Sequence, residues 1–124
     1  MLSSEKLMAF VSTTNADHAR AFYRDKLGLR LLGEDGFALV FESNGAPLRI
    51  SLAKEIKPAP YTVLGWDVKD VRATVLELKK AGITFEIFGF FKQDDLGIWT
   101  APNGDKVAWF KDPDGNVLSV SHYA

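Results

Sequence analysis

The sequence has 124 residues, of which 47% are hydrophobic and 25% charged, a composition typical of one globular domain with its own core. Fifteen basic and sixteen acidic residues give a formal net charge of −1, which excludes the strong positive field of a nucleic-acid-binding protein, so no nucleic-acid partner is expected. The absence of cysteine excludes disulfides and thiolate metal sites, and the apolar runs are too short to cross a membrane, so we expect a cytoplasmic protein without a membrane partner.

The first half of the chain predicts one βαβββ module over residues 6–53. Residues 6–13 are rich in strand formers, Asn15 can cap a helix, and Gly28 is a typical helix stop. The helix is expected between these two residues because its apolar positions recur at helical intervals. Three short strand-like runs separated by turn residues follow, at Leu29–Leu32, Phe37–Phe41 and Leu48–Leu52.

The second half repeats this pattern over residues 61–124, after a linker at residues 54–60 that contains two prolines. A strand is predicted at Tyr61–Val68, and a helix between Asp70 and Gly82 follows it. Phe85–Phe88, Ile98–Thr100 together with Lys106–Phe110, and Val117–His122 are predicted to complete the second set of strands. The repeat indicates an internal duplication, and hence an α+β fold with two matched half-sheets.

Two segments of the chain resemble the vicinal oxygen chelate superfamily, which includes glyoxalases, bleomycin resistance proteins and extradiol dioxygenases. They are Arg20–Leu29, after the first strand, and Phe110–Asn116, before the last. Gly97–Pro102 and Val107–Asp112 are similar to an uncharacterised, metal-free branch of it. The resemblance covers nearly the whole chain. It implies a single domain, residues 1–124, whose two βαβββ modules form an open curved mixed-sheet barrel around a small-molecule cavity.

The resemblance also shows where metal ligands would lie, because active members take one ligand from the first strand and one from the last strand of each module, usually His, Gln or Glu. Met8, Val63 and Ser119 occupy three of these places. The fourth falls on Arg49 or Ser51. None of these side chains is a ligand that a hard divalent cation prefers. We therefore expect no metal site and no other cofactor.

Strand alternation divides the side chains between a helix-packed face and a cavity face. Leu7 and Val11 are assigned to the helix side of the first strand. The strand residues assigned to ligand binding are Met8, Phe10, Ser12, Arg49, Ser51, Val63, Asp67, Ser119 and Ser121. Arg49 and Asp67 are the charges among them. They either pair with each other, or Arg49 holds an anionic or carbonyl group of a ligand.

Aromatic residues are concentrated near the third quarter of the chain. The stretch Phe88–Trp99 predicts either a lid hinged near Gly89 and Gly97 or a hydrophobic patch that closes a core or a dimer. Trp99 and Trp109 are also assigned to ligand binding. Trp109 either stacks on a planar ligand or belongs to the core.

These observations favour a metal-independent binder of a small amphipathic or aromatic molecule in the cavity between the modules. One alternative is an enzyme of the superfamily that works without the usual metal, using a polar pair such as Arg49 with Asp67. Another is a binding module of a larger assembly. A homodimer is also expected, because such modules leave sheet edges and aromatic faces that a second copy can bury.

Overall fold

The computed structural model describes all residues, Met1–Ala124, and contains two compact units, Met1–Lys57 and Pro58–Ala124. The division falls inside the predicted linker. Each unit has one four-stranded mixed sheet and a helix between its first and second strands, which confirms the α+β class and the βαβββ order. Neither sheet closes on itself. No helix is long and apolar enough to span a membrane.

The first unit begins with a 3₁₀ turn at Leu2–Ser4. Its later elements are β1 (Ala9–Thr13), α1 (Ala16–Arg20) with a π-helical continuation (Ala21–Lys26), β2 (Arg30–Glu34), β3 (Ala38–Ser43) and β4 (Ala46–Leu52). The sheet order is β1-β4-β3-β2, in which β1 is parallel to β4 and the other neighbours are antiparallel. β1 and β2 are therefore the edge strands.

The helix of the first unit starts and stops where the sequence predicts. The Asn15 side chain accepts a hydrogen bond from the His18 N–H at 3.1 Å, and Gly28 takes a φ of +74°, a left-handed conformation that glycine adopts without strain. One face of the helix covers the sheet. Tyr23 is fully buried there against Phe22 and Phe41.

The second unit repeats this arrangement. Its elements are β5 (Thr62–Asp67), α2 (Val71–Lys80), β6 (Trp99–Thr100), β7 (Lys106–Lys111) and β8 (Val117–His122). The sheet order is β5-β8-β7-β6, with β5 parallel to β8. Asp70 caps α2 by accepting from the Ala73 N–H at 3.0 Å. The core between α2 and the sheet consists of Val71, Val75, Ala108, Phe110, Leu118 and Val120.

Two details of the predicted elements are wrong. Phe85–Phe88 is not a strand, since Phe85 makes a single bridge to Phe110 and the chain then turns away, with the Phe91 N–H bonded to the Phe88 carbonyl. Leu7 does not pack under the helix. It precedes β1 and its side chain is exposed, because strand pairing begins only at Ala9.

The turn between β7 and β8 is a small hydrogen-bonded unit of its own. Asp112, which is buried, accepts from the backbone N–H groups of Asp114 and Asn116 and from the Asn116 side-chain amide. The Gly115 N–H donates a hydrogen bond to the Asp112 carbonyl at 3.0 Å. The turn therefore fixes the register of the hairpin that it joins.

Candidate functional site

Each sheet has one face covered by its helix and one open face. On the first sheet, strand pairing places Phe10 beside Arg49 and Ser12 beside Ser51 on the open face. The alternate residues, among them Ile50, are buried under the helix. Phe10 is 62% exposed, while Ser12, Arg49 and Ser51 are half-buried. Whether these residues contact a ligand stays a prediction.

Arg49 acts electrostatically within the first unit. The pKa of the Asp35 carboxyl is lowered, chiefly by hydrogen bonds from the Phe37 and Ala38 N–H groups, with a smaller contribution from the positive charge of Arg49. Met8, also assigned to a ligand, lies just before β1 and is 45% exposed.

On the second sheet, the open face carries the predicted residues of β8 and their neighbours. Ser119 lies between Gly65 and Trp109, and Ser121 lies next to Asp67. Both serines are buried, at 6% exposure. A Cβ atom on Gly65 would stand 2.9 Å from the Ser119 Oγ, so this serine fills the space that any larger residue at position 65 would need.

Asp67 is paired within its own unit. Its Oδ1 lies 3.6 Å from the His122 Nδ1, and the Asp67 side chain is 73% exposed. A charge that is this exposed keeps most of its hydration and needs no buried partner. The predicted pair of Asp67 with Arg49 would join residues of the two different units and stays a prediction.

The assignment of Val63 to the ligand face stays a prediction, and β5 is irregular at this residue. The register of β5 against β8 shifts between Thr62 and Leu64, so that Thr62 pairs with Val117 and Leu64 with Leu118. Val63 is the extra residue of this irregularity. Thr62 lies beside Val117 on the open face.

An aromatic cluster covers part of the open face of the second sheet. It is formed by Phe88, Phe90, Phe91, Trp99 and Trp109. Phe91 stacks on Trp109 with ring centroids 5.1 Å apart and an interplanar angle of 6°, and Phe88 meets the edge of Trp109 at 5.4 Å. Trp99 lies 6.4 Å from Trp109. The two predicted tryptophans therefore belong to one cluster.

Gln93 fixes the loop that carries the phenylalanines. Its side chain accepts from the Phe88 N–H at 2.7 Å and donates to the carbonyls of Glu86 and Gly97 at 2.9 and 2.8 Å. The Asp94 carboxylate accepts two further backbone N–H groups of the same loop. The stretch forms part of an aromatic cluster, and closure of a core or a dimer by it stays a prediction. The hinged lid stays untested.

Four residues of the cluster form half of the lining of an open pocket of about 320 Å³. Its lining residues are Pro60, Tyr61, Thr62, Phe88, Phe90, Phe91, Trp109 and Val117. We call this the aromatic pocket. Trp109 is the only one of the predicted ligand-binding residues in the lining. The phenylalanines fall within a stretch that the sequence marks as aromatic, whereas Pro60 and Tyr61 carry no signal apart from the start of a module.

A smaller cavity of about 120 Å³ lies in the first unit, and its charged side chains are paired with each other. Its charged residues are Arg20 and Glu34, whose side chains pair at 2.7 Å, while Arg20 also binds Asp17 at 2.9 Å. These hydrogen bonds raise the pKa of Arg20, with Glu34 the larger contributor. The guanidinium is already occupied by two carboxylates, so the cavity offers no free charge to a ligand.

The donor set at the predicted metal positions does not fit a divalent cation. Met8 offers a thioether, Val63 offers nothing, and the Ser119 hydroxyl packs on Gly65. No group of three or more His, Asp or Glu side chains that could hold a metal is present anywhere in the chain. Asp67 and His122 together would give at most two ligands.

Comparison with known proteins agrees with this architecture. Residues 7–120 match the family model of the Glyoxalase/Bleomycin resistance protein/Dioxygenase superfamily, and the chain belongs to that family. No protein of curated function gives a significant match to the sequence.

Several solved structures have the same fold at low sequence identity. A glyoxalase family protein from Enterococcus faecalis is 21% identical, with a TM-score of 0.73 and coverage of 98% of this chain and 100% of that one. Lactoylglutathione lyase from Agrobacterium tumefaciens is 22% identical, with a TM-score of 0.71 and coverage of 95% and 93%. A bleomycin-binding protein in complex with bleomycin is 17% identical, with a TM-score of 0.74 and coverage of 98% and 100%. At these identities the likeness establishes the fold.

Proposed function

We propose that the protein binds a small, flat, partly aromatic molecule in the aromatic pocket of its second unit, without the help of a metal. The observation that carries this proposal is the pocket itself. Its walls are largely aromatic rings, and its volume lies at the lower end of the range for ligand sites. Rings of this kind bury large areas and stack on planar molecules.

Exposure of the lining supports the proposal. Phe90 is 79% exposed and Tyr61 is 66% exposed, although both border the same concave surface. A ligand placed between them would remove apolar area from water, at roughly 25 cal/mol for each Å². The bleomycin-binding protein with the same fold binds a small molecule, which is consistent with a binding role here.

The proposal is tested by calorimetric titration with naphthylmethanol, a neutral two-ring probe. We expect saturable binding at one site per chain, and Phe90→Ala should weaken it about fivefold through loss of one ring contact. Phe37→Ala is the matched control, since Phe37 is 78% exposed but lies in the first unit. Equal effects of the two substitutions would contradict a site at this pocket.

Metal independence has its own test. Elemental analysis of the untagged protein should find no stoichiometric divalent metal, and a chelator should leave probe affinity unchanged. The reason is the donor set, in which Met8, Val63 and Ser119 provide no carboxylate or imidazole. About one equivalent of zinc, nickel, iron or manganese per chain would instead favour a metal-dependent member of the superfamily.

We also propose that the protein is a homodimer. β1 and β5 are edge strands of their own sheets, and exposed apolar side chains such as Phe10 and Tyr61 lie on or next to them. Such edges are commonly buried by a second copy. Light scattering should give about twice the chain mass of 13.7 kDa, and a mass equal to one chain at micromolar concentration would contradict the proposal.

A further inference from the structure

The lining of the aromatic pocket contains no charged side chain. Its polar side-chain groups are the hydroxyls of Tyr61 and Thr62 and the indole N–H of Trp109. A charged group of a ligand that entered this lining would lose hydration without gaining a counterion, which is unfavourable. The lining by itself therefore favours a neutral ligand.

Two charged side chains stand next to the lining. Lys111 follows Trp109 on the same face of β7 and faces the lining residue Val117 across the strand pair. Glu86 precedes Phe88 by two positions, and its N–H donates to the Trp109 carbonyl at 2.8 Å. Both positions are thus within one or two residues of the pocket wall.

These two charges neutralise each other. The Lys111 Nζ lies 3.4 Å from the Glu86 Oε1, and the side chains are 49% and 30% exposed. A ligand in the aromatic pocket therefore meets a closed ion pair and not a free charge. Removing either partner would leave the charge of the other uncompensated next to the pocket.

We infer that the Glu86–Lys111 ion pair makes the aromatic pocket selective for neutral ring systems. Each partner cancels the attraction that the charge of the other would exert on an oppositely charged ligand. Alone, Lys111 would attract carboxylate-bearing rings. Alone, Glu86 would attract ammonium-bearing rings. This inference rests on the proposed function, because it describes which molecules the same pocket accepts.

The first experiment compares three probes that share one ring system, namely naphthylmethanol, naphthoate and naphthylmethylammonium. They are neutral, negative and positive at neutral pH. Calorimetric titration of the unmodified protein should show the neutral probe binding about tenfold more tightly than either charged probe. Equal or tighter binding of a charged probe would overturn the inference.

The second experiment alters the pair. Glu86→Gln should raise the affinity for naphthoate about threefold or more, and Lys111→Met should do the same for naphthylmethylammonium, as expected for a partly exposed charge. The double variant should return to the order of the unmodified protein. If the ion pair only stabilised the fold, the two substitutions would not raise the affinities for oppositely charged probes.

Matched controls separate local charge from net charge. Lys106→Met removes the same charge from the other end of β7, where Lys106 is exposed and donates to the Thr100 hydroxyl. Glu77→Gln makes the corresponding change on α2, which packs on the opposite side of the sheet. Neither should alter the order of the three probes, and a shift equal to that of the pair variants would overturn the inference.

The two proposals can fail separately. If naphthylmethanol does not bind, the proposed function is wrong and the inference falls with it. If it binds and Phe90→Ala weakens it, but neither pair variant shifts the affinities of the charged probes, the site stands and the inference alone is overturned.

Discussion

The two units have similar helix-packed faces and different open faces. In each unit a polar cap, Asn15 or Asp70, starts the helix, and a fully buried phenylalanine, Phe41 or Phe110, lies at the same place on the third strand of the unit. On the open faces the first sheet carries separate polar and apolar residues, whereas the second carries the aromatic cluster. The comparison shows that the duplicated core is retained while the segment after the helix diverges.

That divergent segment has a simple structural basis. In the first unit the chain passes from Gly28 directly into β2, a strand of five residues. In the second unit the strand at the same place, β6, has two residues, and the chain before it folds over the sheet with Gln93 at its base. A shortened edge strand thus gives a loop that can cover a sheet face.

The largest expected effect concerns the retained core. Phe41→Ala and Phe110→Ala should each lower the free energy of unfolding by about 3–5 kcal/mol, because each removes a fully buried ring. Urea denaturation measures both. The exposed Phe37→Ala should cost less than about 1 kcal/mol. A much milder effect at one buried position would show that the two cores are not equivalent.

A smaller effect is expected where the units differ. Gln93→Ala should cost about 2 kcal/mol, because it leaves the Phe88 N–H and the carbonyls of Glu86 and Gly97 without this partner. Near-ultraviolet circular dichroism should report looser packing around Trp109. Gln93→Glu keeps the acceptor but loses both donors, so it should not restore stability. Full recovery in that variant would contradict the role given to the amide.

The helix caps should behave alike in both units. Asn15→Ala and Asp70→Ala are each expected to cost about 1 kcal/mol, since each removes a hydrogen bond to the first turn. The exchanges Asn15→Asp and Asp70→Asn keep a cap and should be nearly neutral. Thermal melting of the four variants provides the test. A large loss of stability in only one unit would show that the two caps share their geometry but not their contribution to stability.

The smallest effect is expected for the two charges on the open faces. Arg49→Ala and Asp67→Ala should each cost less than about 1 kcal/mol, because Asp67 is 73% exposed and Arg49 is only half-buried. Their double variant should be additive. A coupling above about 1 kcal/mol in the double-mutant cycle would support the predicted Arg49–Asp67 pair instead.

The sequence predicts the fold well because the fold depends on local signals. Caps, glycine stops and strand alternation act over a few residues and place both helices and most strands within two or three positions. Phe85–Phe88 was predicted wrongly because its composition favours a strand. The Phe88 N–H instead donates a hydrogen bond to the Gln93 side chain, and side-chain contacts of this kind are not visible in a local pattern.

The candidate site is less predictable for the same reason. Trp99 and Trp109 were assigned to ligand binding from alternation and composition, and they do belong to one aromatic cluster. Val63 is assigned to the ligand face by strand alternation, and the irregularity in β5 at this residue is a feature that an alternating pattern does not reveal. The pocket also needs Pro60 and Tyr61, which come from a segment interpreted as the end of a linker and the start of a strand.

The self-contained turn at Asp112 has a consequence for how the second unit folds. Because its hydrogen bonds join residues at most four positions apart, the β7–β8 hairpin can form early, while the parallel pairing of β5 with β8 must wait for a long chain closure. We expect Asp112→Ala to slow refolding about as much as it lowers stability, and Gly65→Ala, which crowds the β5–β8 contact, to speed unfolding instead. Stopped-flow kinetics of both variants would show whether β5, which supplies Thr62 to the aromatic pocket, pairs with β8 only after the hairpin has formed. If Gly65→Ala slows refolding and Asp112→Ala mainly speeds unfolding, β5 pairs before the hairpin forms.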